Sequence, residues 1–499
     1  MMRISALGLI ALASFAIWSA TADVVVQPPS PVISTSVSEC KVCHSDPKSV
    51  GLRDYVDKCK SLDFVKLTES ITWEEQDPHS RAFAVLKTPL GKQMGERLKY
   101  DVTTASQCLT CHAIDTRRPG AERFVAQDTI GIGCTACHGL PKEWQNKHYE
   151  SPTGTTVPWR IWSADKKSEA GMRHLRDPMT KANLCASCHI GNPEEGKVIT
   201  HEMYVAGHPP LPPFELLTFM NDEPRHWGTP FELDFFKSLD SESAKKFSFR
   251  LAEGAAGHAA RHLAAGAIAV VRAEIYLLLF ESVRAMKFQP HAGLDYARFD
   301  CYACHHDLKL PSDRQKRGYD GPPGRPPVKA WVGALGDVVL SSLPGVKPDF
   351  ANRWKAVREA AFAKPYADPA RMLKAVENMQ LFIEVTGEGL ENGPDWTKAD
   401  VEKLQANLLK AARSEKWLGD PEAVMVLVWA YRSLHPTISV SPFPDKELAN
   451  ILPVRLRNEF SKNGKPVTVG DIWQDRMKRF NAFDSVQFLK LFSGAEKGR

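Results

Sequence analysis

The pattern of apolar and polar positions changes once along the chain, near residue 311. Before this point few segments show the alternation typical of strands, and Pro and Gly divide the chain into loops joined by short helices. Residues 311–330 are rich in Pro, Gly and charge, and beyond them apolar positions recur every three to four residues. The pattern predicts a mainly α protein with a helical C-terminal region.

The helices of the C-terminal region carry recognisable start signals. In "DPARMLKAVENMQLFIEVTG", Asp368 is a predicted N-cap, Pro369 occupies the first helical position, and we expect Gly387 to end the helix. "DPEAVMVLVWAYRSLH" begins in the same way at Asp420, and "TKADVEKLQANLLKAARSEKW" lies between the two with helical periodicity. We predict a helical domain over residues 331–499.

A long apolar stretch, "LAAGAIAVVRAEIYLLLF" from Leu263, precedes the boundary. It carries Arg272 and Glu274 near its middle. Charged residues there favour a buried or amphipathic helix over a membrane-spanning one.

The N-terminus has the features of an export signal. Arg3 is followed by an apolar run too short to cross a bilayer, and Ala20 and Ala22 form an A-x-A cleavage site before Asp23. We expect residues 1–22 to be removed and residues 23–39 to form an extended tether. The mature protein is then periplasmic, with no membrane span.

Five copies of one short motif lie between residues 40 and 305. The sequence C-x-x-C-H occurs as "CKVCH", "CLTCH", "CTACH", "CASCH" and "CYACH", although composition alone predicts far fewer than one copy. In c-type cytochromes the two cysteines bond to haem, and the histidine ligates the iron. Covalent attachment is predicted at Cys40, Cys43, Cys108, Cys111, Cys134, Cys137, Cys185, Cys188, Cys301 and Cys304, and proximal iron ligation at His44, His112, His138, His189 and His305.

Other uses of paired cysteines fit less well. Zinc ribbons need no histidine directly after each second cysteine, and disulfide frameworks belong to short secreted chains. We therefore predict five covalently attached haem c groups over residues 40–310 and a haem-free helical domain over residues 331–499. The eleventh cysteine, Cys59, has no partner at the motif spacing, and a buried free thiol is its simplest interpretation.

Charge adds little to this prediction. The formal net charge is +5, but the propionates of five haems would make the holoprotein negative. The basic sequence therefore does not indicate nucleic acid, and we expect redox proteins as partners. The helical C-terminal domain is a candidate surface for docking to a respiratory complex.

The second axial ligand of each iron decides the function. A second histidine closes the site and suits electron transfer, whereas an open position allows small molecules to bind and react. We predict an electron carrier with mostly bis-histidine haems. The alternative is a multihaem oxidoreductase with one open haem acting on a small nitrogen or sulfur compound, although no C-x-x-C-K site of the nitrite reductase kind occurs in the sequence.

Several longer stretches resemble a known family. "WEEQDPHSRAF", "GIGCTACHG" with "HY", "CASCHIGNP", "THEMYVAGHPPLPPFEL" with "PRHW", and "DCYACHHDLK" are similar to periplasmic multihaem cytochromes c. These cytochromes are related to the tetrahaem proteins that accept electrons from hydroxylamine oxidoreductase. The resemblance covers residues 40–310, and this chain departs from the tetrahaem type in its fifth motif and its C-terminal region.

The resemblance also implies a set of distal ligands. The recurring histidines outside the motifs, and so the candidates for the second axial position, are His79, His148, His201, His208 and His306. Further candidates are His174, the pair His258 and His262 at helical i and i+4 spacing, Met172 and Met203.

The doubled histidine of "CYACHH" suggests a connection between haems. Adjacent side chains on a helical turn diverge by about 100°, so His306 points away from the ring that His305 serves. We predict that His306 ligates a neighbouring haem, and a hydrogen bond to a propionate or to Asp307 is the alternative.

Overall fold

We describe the fold from a computed structural model of the chain. It describes residues 37–46, 66–113, 131–139, 144–149, 159, 162–227, 256–288, 293–306, 308–312, 315, 318, 321–346, 349–434, 461–462, 465–466, 474, 477–478 and 480–496. The predicted signal peptide, most of the predicted tether and Cys59 lie outside these residues.

The part before the long apolar helix is built from short helices, as the broken pattern predicts. The α-helices are α1 (Val37–His44), α2 (Glu69–Gln76), α3 (Pro89–Leu98), α4 (Ser106–His112), α5 (Cys134–His138), α6 (Trp144–Lys147), α7 (Ala164–Glu169), α8 (Pro178–His189), α9 (His201–Ala206) and α10 (Leu216–Asp222). Single 3₁₀ turns occupy Pro78–Arg81, Ala84–Lys87, Pro193–Glu195, Tyr296–Arg298 and Cys301–Ala303.

The remaining helices are longer and form most of the core. They are α11 (Ala256–Phe288), α12 (Ala330–Leu340), α13 (Phe350–Ala363), α14 (Pro369–Asn392), α15 (Lys398–Ala412), α16 (Glu415–Leu418), α17 (Pro421–Ser433) and α18 (Ser485–Glu496). In the described residues, strands are limited to the antiparallel pair β1 (Ser461–Lys462) and β2 (Lys465–Pro466). The prediction of a mainly α protein is confirmed.

The predicted helix starts are present, and one predicted helix end is wrong. Asp368 accepts hydrogen bonds from the backbone N–H groups of Ala370 and Arg371, and Asp420 caps α17 in the same way. However, α14 continues past Gly387 to Asn392. Gly387 instead allows a close approach, because a Cβ there would lie 3.3 Å from the Arg272 guanidinium of α11.

Helix α11 is the centre of the main core. It packs most extensively against α14 and α8, and also against α10, α12 and α15. Alanines make this close packing possible, and at Gly266 a Cβ would lie only 2.7 Å from the Leu216 Cβ atom of α10. By length and apolarity α11 could cross a membrane, but 72% of its most apolar window is buried inside the protein.

The described helices after residue 330 share this core with the haem-motif region. Met179, Ala182 and Ala186 of α8, which carries the fourth motif, belong to the same buried cluster as the C-terminal helices. Glu215 adds a polar link, since its carboxylate accepts from the Ser433 hydroxyl of α17 at 3.1 Å. The division of the chain into domains at residues 311–330 stays a prediction.

Candidate haem sites

The first four C-x-x-C-H motifs lie at the ends of short helices, and the fifth lies on a 3₁₀ turn. The histidine is the last residue of α1, α4, α5 and α8, while Cys301–Ala303 forms the turn before His305. On one helical turn the two cysteines lie on the same face, three residues apart. Each motif thus presents both thiols to one side, with its imidazole one residue further on.

Each of the five motif histidines faces one other imidazole ring at nearly the same distance. The ring centroids are 6.3 Å apart for His44 and His148, 6.1 Å for His112 and His208, 6.3 Å for His138 and His226, 6.2 Å for His189 and His79, and 6.4 Å for His305 and His201. We call these the five histidine pairs.

The spacing of the pairs suits a metal ion held between two imidazoles. Metal–nitrogen bonds of about 2.0 Å, with each nitrogen about 1.1 Å from its ring centre, place the centroids roughly 6.2 Å apart. Among the described residues no group of three or more His, Cys, Asp or Glu could hold a metal. Two axial imidazoles fit an iron whose other four ligands come from a porphyrin.

Hydrogen bonds from Nδ1 orient at least six of the ten paired rings. The Nδ1 atoms of His112, His148, His208 and His226 donate to backbone carbonyls, at 2.7 Å for His112 and for His208. A carbonyl oxygen can only accept, so Nδ1 carries the proton and Nε2 keeps its lone pair. A haem-ligating histidine needs this tautomer.

Two paired rings donate to carboxylates instead. The Nδ1 atom of His44 lies 2.9 Å from Glu69 Oε2, and that of His79 lies 2.9 Å from Asp77 Oδ1. Burial would raise the pKa of both carboxyl groups, but the hydrogen bonds and charge of the facing imidazoles hold each pKa below its usual range. Both acids are therefore ionised at neutral pH.

Burial keeps other paired rings neutral. Desolvation lowers the pKa of His138 to about 4 and that of His208 to about 4. A neutral imidazole is the form that binds a metal.

The structure places four of the five candidate distal residues in the histidine pairs. These are His79, His148, His201 and His208. The candidate His306 is not a member of the five pairs, and His226 faces His138 instead. The sequence offered one signal for His226: the "PRHW" stretch resembles "HY" at His148, and in both cases the following aromatic ring contacts the histidine.

The further candidates lie elsewhere. His258 and His262 contact each other on α11 with centroids 4.3 Å apart, too close for an iron between the rings. Met172 packs beside a tryptophan cluster formed by Trp144, Trp159 and Trp162. Met203 is buried in α9, where its backbone N–H donates to the Thr200 cap.

Thiols of different motifs touch each other in two places. Cys40 of the first motif hydrogen-bonds to Cys134 of the third, which lowers the pKa of Cys40 to about 7 and raises that of Cys134. Cys111 of the second motif hydrogen-bonds to Cys188 of the fourth in the same manner. Haem attachment would convert these sulfurs to thioethers, and the contacts then indicate that two pairs of attachment sites lie close together.

Three further observations relate the motifs to one another and include the fifth. The thiols of Cys137 and Cys185 are close enough for their charges to interact, which brings the third and fourth motifs together. Helix α9 begins at His201 and ends two residues before His208, so one short helix spans the pairs of the fifth and second motifs. A small cavity lined by His189 and Cys301 lies between the fourth and fifth motifs.

Comparison with known proteins gave one family match. Residues 39–139 match the model of the family described as cytochrome c554 and c-prime. Searches of curated proteins and of solved structures found no match. The matched segment contains the first three motifs, and it supports a multihaem cytochrome c family, covalently bound c-type haem and electron transport.

Proposed function

We propose that this chain is a periplasmic electron-transfer protein that binds five haem c groups, each between two histidines. The observation that carries the proposal is the set of five histidine pairs, in which every motif histidine faces a second imidazole at 6.1 to 6.4 Å. When bound, haem would supply one-electron redox chemistry to these sites.

The residues of the chain then have separate roles. The motif cysteines would hold each porphyrin through two thioether bonds, and the paired histidines would ligate its iron. Six Nδ1 hydrogen bonds hold imidazole rings in the ligating orientation. Two histidine ligands at each iron would leave no position there for a substrate, which favours electron transfer over the oxidoreductase alternative.

The contacts between motifs support a connected path. The first motif touches the third through Cys40 and Cys134, the third lies beside the fourth, and the fourth touches the second through Cys188 and Cys111. The fifth motif lies beside this group. Helix α9 begins at His201 of the fifth pair and ends close to His208 of the second, and one small cavity is lined by both His189 and Cys301. We infer that the haems form one chain, with the first and fifth motifs at its two ends.

Localisation and partners follow from the same proposal. Covalent haem attachment occurs outside the cytoplasm, and residues 1–22 have the pattern of a cleaved export signal. The family match suggests redox proteins as partners. Docking through residues 331–499 stays a prediction.

The haem number is tested by removing one attachment site. We expect the intact mass of the wild-type protein to exceed that of the processed polypeptide by five haems. The Cys301→Ser/Cys304→Ser double variant should carry four, and Cys59→Ser, which lies outside every motif, should still carry five. A wild-type protein with fewer than five haems, or a double variant that keeps all five, would contradict the proposal.

A further inference from the structure

Among the six paired histidines whose Nδ1 hydrogen bonds are described above, two differ from the other four in their partners. His44 and His79 donate to the carboxylates of Glu69 and Asp77, whereas His112, His148, His208 and His226 donate to neutral carbonyls. His44 belongs to the first histidine pair, and His79 faces His189 of the fourth motif. The carboxylates therefore act on two different sites.

Both carboxylates are held rigidly by further hydrogen bonds. Glu69 Oε1 accepts from the backbone N–H groups of Lys66 and Leu67, at 2.5 and 3.1 Å, while Oε2 faces His44. Asp77 Oδ1 accepts from both the backbone N–H and the ring Nδ1 of His79 at 2.9 Å. Their side chains are only 18% and 7% exposed, so water screens their charges weakly.

A carboxylate on the outer nitrogen makes an imidazole a stronger electron donor to its metal. It also places a negative charge near the iron. Both effects stabilise the ferric state relative to the ferrous state, because the ferric iron carries one more positive charge. Gain of one electron is then less favourable at these two sites.

We propose that Glu69 and Asp77 are positioning residues that lower the reduction potentials of the haems held by the first and fourth motifs. The inference rests on the proposed function. The first motif touches the third and the fourth touches the second. In each of these two close pairs, one site has a histidine that donates to a carboxylate, and the other has a histidine that donates to a carbonyl. Asp77 is the more buried acid and should have the larger effect.

The test is a potentiometric titration of the five-haem protein, followed by absorption and resolved into five one-electron components. Glu69→Gln and Asp77→Asn keep the shape of the side chains and an acceptor oxygen but remove the charge. Each variant should raise the reduction potential of one component by about 59 mV, which is a tenfold change in the equilibrium constant of a one-electron reduction. The double variant should raise two components.

Glu74→Gln is the matched control. Glu74 lies on the same helix α2 as Glu69, and its carboxylate pairs with the Lys41 ammonium at 2.6 Å instead of with an imidazole. The control should titrate like the wild type. If Glu74→Gln and Glu69→Gln shifted the reduction potentials equally, the effect would come from general surface charge, and the inference would be overturned.

The two proposals fail in different ways. Fewer than five low-spin ferric haems in the wild type would contradict the bis-histidine proposal itself. Five low-spin haems with unshifted potentials in both variants would overturn only the role of the carboxylates. Each variant shifts its own component of the titration. If one variant folds poorly, the potential measured for the other still tests the inference.

Discussion

His226→Ala is expected to convert one low-spin ferric haem into a high-spin haem. His226 faces the third-motif histidine His138 at 6.3 Å, so its removal would leave that iron with an open axial position. Electron paramagnetic resonance of the oxidised protein should show a new high-spin signal. Cyanide or nitric oxide should bind one haem in the variant.

His306→Ala is the matched control, because His306 was the fifth candidate from the sequence. We expect this variant to keep five low-spin haems and to bind no cyanide, since His201 faces His305 and His226 faces His138. The opposite result, a high-spin haem in His306→Ala with an unchanged His226→Ala protein, would restore His306 as a ligand and remove His226.

The second large effect is expected in the main core. Met379 of α14 is fully buried in the cluster that joins the C-terminal helices to α8 and α11. Met379→Ala should lower the free energy of unfolding by about 2–5 kcal/mol, through lost burial and the cavity left behind. Because α8 carries the fourth motif, haem absorption and far-ultraviolet circular dichroism should report the same shifted transition in denaturant.

Leu381→Ala gives the comparison on the same helix. Leu381 is 58% exposed, so truncation should change the stability by no more than about 0.5 kcal/mol. A Met379→Ala protein whose helical signal unfolds early while its haem absorption keeps the wild-type midpoint would show that the C-terminal helices are energetically separate.

Local signals in the sequence predicted local structure well. The Asp-Pro starts of α14 and α17 need only their own backbone N–H groups, so the sequence alone identifies them. The end of α14 depends on packing across space. Gly387 faces α11, and the helix continues through the buried Leu390, so tertiary contacts outweigh the local preference of glycine to end a helix.

The candidate sites likewise combine residues that the local sequence identifies with residues that only the tertiary fold brings together. The motif residues are contiguous, and their spacing alone indicates haem attachment. The distal histidines come from distant parts of the chain: His79 faces His189, more than one hundred residues later. The sequence-based assignment to His306 rested on its position beside His305. The pairing of His226 with His138 depends instead on the tertiary fold, which brings these two distant segments together and which no local pattern encodes.

The angles between the paired imidazole planes divide the five sites into two kinds. The planes are within 12° of parallel for His44 and His148 and within 29° for His305 and His201, but they cross at 72° to 84° in the other three pairs. Each imidazole donates π-electron density along one direction only. Parallel rings therefore split the two highest occupied d orbitals of a ferric iron, whereas crossed rings leave them nearly equal in energy. In the proposed row of five haems, those of the first and fifth motifs, at its two ends, should thus differ in magnetic anisotropy from the three between them.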